Sequence, residues 1–160
     1  MTQIVVVSGN PRPGSRTLTL ATAVGGAVAS QAGAAAPAVV DVGALGAGLL
    51  TPGDPATAEA IAALKEADIL VVATPTYKGS YTGILKVLLD QLPANALAGT
   101  RAVPVVTAGV APQAATAEQL LRQLLIELGA DVVDPGLPVV EAELPESAAI
   151  AEKFAASHTW

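Results

Sequence analysis

The sequence predicts an α/β protein, an open parallel sheet with helices on both faces. Three observations carry that prediction. Short runs rich in Val, Ile and Leu alternate along the whole chain with longer Ala- and Leu-rich runs. Three of the short runs, beginning at Ile4, Ile69 and Ala102, are apolar almost throughout, the pattern of strands covered on both faces. Each of the three then breaks into Gly, Pro, Ser, Thr or Asn, as a chain does where it leaves a sheet. With 160 residues, 52% of them hydrophobic, the chain can build one core, and a single domain over 1–160 is expected.

The first strand is Ile4 to Val7. The polar stretch after it ends in Gly14, Ser15 and Thr17, which offer caps for a helix starting near Arg16 or Thr17 and running to Ala32. Gly25 and Gly26 weaken that helix. Pro37 to Val42 reads as a second strand, and Gly43 to Pro55 as a Gly- and Pro-rich surface connection. Asp54 caps a second helix, Ala56 to Ala67, with Ile61 and Leu64 facing inward. The third strand, Ile69 to Thr74, stops at Pro75, and a loop follows to Ser80. Thr82 to Leu92 is a third helix ended by Pro93. Ala102 to Ala108 is the fourth strand, Gly109 to Gln113 its loop, and Ala115 to Leu128 the fourth helix, closed by Gly129. Asp131 to Val133 begins a fifth strand, which Pro135 to Val140 extends or follows, and Ser147 to Ala156 is the last helix. Five strands in this alternation fit the flavodoxin-like order 2-1-3-4-5, in which ligands sit beyond the carboxyl ends of the strands. The loops after strands one, three and four would meet there.

Composition removes several function classes. A net charge of −6 argues against a basic nucleic-acid face. Without cysteine there are no disulfides, thiolate zinc sites or thiol nucleophiles. No apolar run approaches a membrane span, and the N-terminus lacks a basic leader, so a cytoplasmic location is expected. The only histidine, His158, lies in the tail, where no triad is in prospect, and no acidic cluster has metal-ligand spacing. Two helices carry more apolar surface than one sheet face requires: Ile84, Leu85, Val87, Leu88, Leu89 and Leu92, and Leu120, Leu121, Leu124, Leu125, Ile126 and Leu128. That surplus predicts a homodimer or homotetramer built through 82–92 and 115–128.

The first loop is the chemically informative one. A buried strand, a small polar loop and a helix start present unpaired backbone N–H groups and the positive end of a helix dipole, with Arg12 and Arg16 adding charge. The loop is expected to hold a phosphate. Gly9-x4-Gly14 imitates a nucleotide-triphosphate loop, but Ser15 and Arg16 stand where that motif needs Lys and then Ser or Thr. With no acid, base or metal in view, a cofactor must carry any chemistry.

SGNPRPGSRT, beginning at Ser8, followed by PTYKGSYTGILKVLLDQLP, beginning at Pro75, resembles the NAD(P)H-dependent FMN reductases of flavodoxin-like fold. The closest likeness is to the subgroup that supplies reduced flavin to two-component monooxygenases such as alkanesulfonate systems. The resemblance covers Met1 to about Leu128. It implies that Asn10, Arg12, Ser15, Arg16 and Thr17 hold the flavin phosphate. By the same resemblance Pro75, Thr76, Tyr77, Lys78, Gly79 and Ser80 run along the isoalloxazine ring, and Thr107 and Gly109 meet its pyrimidine side. NADPH or NADH would be the co-substrate, and free flavin, a quinone or another small molecule the acceptor. A flavin-dependent monooxygenase is an implied partner, and no side chain acts as catalytic acid. Three departures stand out: Asn10 where many members have Ser, Gly109-Val110 for Gly-Gly, and Gln119 where the flavin-supplying subgroup often inserts a tyrosine. The last favours a retained FMN. An electron carrier or flavin store of the same fold is the alternative.

Overall fold

The computed structural model describes all residues, 1–160. β1 (Ile4–Ser8), β3 (Ile69–Pro75) and β4 (Arg101–Ala108) are buried along nearly their whole length, as their unbroken apolar runs require. β2 (Ala38–Asp41) lies at one edge. The parallel order is β2-β1-β3-β4, and the fifth position is shared by two short strands, β5 (Asp131–Val132) and β6 (Leu137–Val140). β5 pairs with Arg101 and Ala102, and β6 pairs with 105–108 further along the same strand. The two therefore lie end to end along the free edge of β4. The expected five-position order 2-1-3-4-5 is the one observed.

Helices close both faces. α1 (Arg16–Ala32) and α6 (Ser147–Ala156) cover one core, built on Ile4, Val6, Val71, Ala73 and Val105. α3 (Pro55–Glu66), α4 (Gly83–Asp90) and α5 (Ala111–Glu127) cover the other, built on Val5, Val7, Leu70, Val72 and Val106. Strand alternation sends successive side chains to opposite cores. Gly25 does more than weaken α1: a Cβ there would come within 2.3 Å of Val6 Cγ2, so the glycine lets helix and strand approach closely.

Several sequence expectations need correction. The connection after β2 is not irregular throughout. It folds as a short helix, α2 (Val42–Leu45), and a 3-10 segment (Gly46–Leu50). These lie against α4, whose Leu85, Leu88 and Leu89, with Leu92 beyond it, are buried in the core of a single subunit. The surplus on α4 thus has an internal explanation, whereas Leu120 and Ile126 on α5 remain exposed. α5 starts at Ala111 rather than Ala115, because Pro112 is tolerated in a first helical turn. The third loop shrinks to Gly109 and Val110. His158 is also not loose: its ring nitrogens lie 3.0 Å from the carbonyl oxygens of Phe154 and Pro135. No helix is long and apolar enough to cross a membrane.

Candidate functional site

The first loop is organised by its own polar side chains. Asn10 Oδ1 accepts from the Arg12 N–H at 2.9 Å, and Asn10 Nδ2 donates to Thr17 Oγ1 at 3.1 Å. Ser15 caps α1 by accepting from the Leu18 N–H at 3.2 Å, as its type and position suggested. The Ser15 carbonyl accepts from the Thr19 N–H. The Ser15, Arg16 and Thr17 amides have no protein acceptor. Neither Arg12 nor Arg16 forms an ion pair. Three free amides and two unpaired guanidiniums at one helix start suit a phosphate.

The second loop is a two-residue hairpin turn. The Tyr77 N–H donates to the Ser80 carbonyl at 2.9 Å, and Lys78 and Gly79 both have positive φ, 54° and 82°. That is the type I′ geometry, in which glycine is favoured and lysine is not. Its base is buried: Thr74 Oγ1 accepts from the Thr82 N–H at 3.2 Å, and Thr82 Oγ1 donates to the Gly9 carbonyl. Thr82 also caps α4 by accepting from the Leu85 N–H at 3.2 Å. The Thr76 hydroxyl donates to the Thr107 carbonyl at 2.8 Å, which joins the second loop to β4. Loop one, loop two and the carboxyl end of β4 are therefore linked by side-chain bonds at one rim.

A cleft of about 690 Å³ opens on that rim, within the range of small-molecule sites. Asn10, Arg12, Ser15, Arg16, Thr17, Pro75, Tyr77 and Thr107 all line it. Thr76, Lys78, Gly79, Ser80 and Gly109 do not: Lys78 and Gly79 form the exposed tip of the hairpin, and Gly109 is exposed beyond β4. Pro11 and Gly14 of the first loop line it as well, and two further lining residues, Glu141 and Leu144, lie outside all three loops and were not expected there. They follow β6, whose carboxyl end reaches the same rim through its pairing with 105–108. Nothing local in EAEL at 141–144 advertises that role. Arg101 lies at the opposite end of the sheet from the cleft. It begins β4, its guanidinium donates to the Thr159 carbonyl, and it sits 5.3 Å over the Trp160 ring. Gln119 is exposed on an unbroken α5.

The model of one family, NADPH-dependent FMN reductase, matches residues 2–143. The chain belongs to that family. An FMN reductase (NADPH) of Pseudomonas aeruginosa is 32% identical over 96% of this chain and 85% of its own length. An FMN reductase (NADPH) of Escherichia coli is 40% identical over a shorter stretch, 46% of this chain and 39% of the relative. Among solved structures, the apo form of an NADH:FMN oxidoreductase superposes with a TM-score of 0.82 at 31% identity, covering 99% of this chain and 91% of the other. As an FMN reductase family member the chain has a rim that fits a flavin mononucleotide: free amides and cations at one end of the cleft, and the Pro75–Tyr77 segment and Thr107 beyond.

Proposed function

We propose that the protein is an FMN-dependent NAD(P)H oxidoreductase. The observation that carries the proposal is the set of free Ser15, Arg16 and Thr17 amides, beside the unpaired Arg12 and Arg16, in one cleft with Pro75, Tyr77 and Thr107. When bound, the flavin supplies the redox chemistry, taking hydride from a reduced nicotinamide and passing electrons to a small acceptor. The chain's part is to hold and orient. The α1 start and Arg12 bind the phosphate, and Asn10 keeps Thr17 and the loop backbone in place. Pro75 and the half-exposed Tyr77 would flank the ring and Thr107 would bound the far side, with the hairpin tip at Lys78 and Gly79 standing outside the cleft. None of these residues needs to act as acid or base.

The acceptor on this reading is free flavin, a quinone or a flavin-dependent monooxygenase that takes the reduced flavin. The family relation accommodates either nucleotide, since relatives are named for NADPH and a solved neighbour for NADH. We assign it to the cytoplasm and to a homo-oligomer in which α5, through Leu120 and Ile126, makes the contact, with the 82–92 helix contributing its half-buried Ile84 and Val87.

The test is a titration of FMN into purified protein followed by flavin fluorescence, then anaerobic addition of NADPH or NADH. Quenching followed by loss of the oxidised-flavin absorbance is the expected result. Quenching with no loss for either nucleotide would make the protein a flavin carrier, and no quenching would remove the flavin assignment altogether.

A further inference from the structure

Asp41 ends β2 and pairs in register with Ser8, the last residue of β1. Val40 and Val42 face the core under α3 to α5, as Val5 and Val7 do, whereas Ile4 and Val6 face α1. Ser8 and Asp41 therefore lie on the α1 side of the sheet, behind the first loop. Asp41 Oδ2 accepts from the Gly14 N–H at 3.0 Å, which holds a residue at φ +65° immediately before the helix cap. Gly43, two residues on, also presses against the loop: a Cβ there would fall 2.6 Å from the Asn10 carbonyl oxygen and 2.7 Å from that of Pro11. The other Asp41 oxygen is buried without a partner, as is Ser8 Oγ, and no cation pairs with the carboxylate. An unpaired carboxylate with a buried oxygen is costly, and here it stands behind a loop whose free groups all favour an anion.

We infer that Asp41 is a positioning residue of this loop whose charge also limits how tightly the loop holds a phosphate. Its hydrogen bond sets the turn that aims the Ser15, Arg16 and Thr17 amides, and its negative charge opposes the anion those amides receive. The inference rests on the cleft taking FMN, and the two parts of the role separate by substitution. Asp41→Asn keeps an acceptor oxygen for Gly14 and removes the charge. Asp41→Glu keeps the charge and displaces the acceptor by a methylene.

The experiment is a titration of FMN into wild type and both variants by fluorescence quenching, at low and at raised salt. Asp41→Asn should bind FMN about three- to tenfold more tightly at low salt. That gap should narrow as salt screens the charge. Asp41→Glu should bind more weakly than wild type. A second arm uses inorganic phosphate on flavin-free protein, read as a rise in melting temperature, with the same ranking expected. The ligand-free Asn variant should melt cooperatively at or above the wild-type temperature. Unchanged or weaker binding by Asp41→Asn in both arms overturns the inference, as does loss of its cooperative melt. A wild type that responds to phosphate but not to FMN overturns the flavin assignment, and the phosphate ranking then decides the role of Asp41. A wild type that responds to neither overturns both.

Discussion

Arg12 and Ser15 share a loop but fail in different ways when removed. The Arg12 side chain has no protein partner and is exposed, so Arg12→Ala should leave the melting temperature nearly unchanged. It should weaken FMN binding by about 1.5–3 kcal/mol, the worth of a hydrogen bond to a charged group. Ser15 is buried and its hydroxyl caps α1. Ser15→Ala should therefore cost about 1 kcal/mol of stability as well as flavin affinity. Thermal melts and fluorescence titrations on the two variants check both statements. Unchanged FMN affinity in both would detach the loop from the site. Ser15 as a cap was legible from residue type and position alone. Asp41 was not: its partner Gly14 is distant along the chain, and sequence spacing carries no mark of that contact.

α4 shows how a helix can mislead when read by its own composition. Its apolar wrap suggested an intersubunit surface, but Leu88 is completely buried in the core beneath the sheet, and the segment from 42 to 50 lies against the same helix. Leu88→Glu should therefore prevent folding, at more than about 4 kcal/mol, rather than separate subunits. Circular dichroism on the variant distinguishes the outcomes: a folded monomer would contradict the burial. On the exposed side of α4, Lys86 donates to Asp90 at 2.7 Å. That hydrogen bond, with the Asp90 charge, raises the Lys86 pKa above its ordinary 10.5. A raised pKa in the folded state means that the pair contributes fully below the unfolded value. The contribution is lost as pH rises through the folded one. Lys86→Ala should lower the melting temperature slightly at neutral pH, both groups being exposed, and not at all in strong alkali. Melts at the two pH values measure that difference.

Subunit assembly depends on which apolar residues the whole fold leaves outside. On α5, Leu121 and Leu125 turn inward while Leu120 and Ile126 stay exposed. If α5 makes the contact, Ile126→Glu should lower the mass seen by light scattering while leaving the fold and its melt intact, the reverse of Leu88→Glu. A wild-type mass for this variant would exclude α5. The same outward view explains the cleft. Four segments reach it from distant parts of the sequence, and one of them, carrying Glu141 and Leu144, arrives only because β6 continues the sheet edge that β5 begins.

Reading along the chain was enough for the strand runs, the parallel order, and the caps at Ser15 and Asp54. Each of these rests on interactions within a few residues, or on a periodicity that every element carries in itself. Folding alone decided that Arg101 lies away from the cleft, that Glu141 lines it, that Leu85, Leu88 and Leu89 of α4 are buried within one subunit, and that Asp41 stands behind the first loop. Those outcomes depend on contacts between residues far apart in the chain, whose positions are set by strand register and by how a covering segment settles, and neither is written in local sequence.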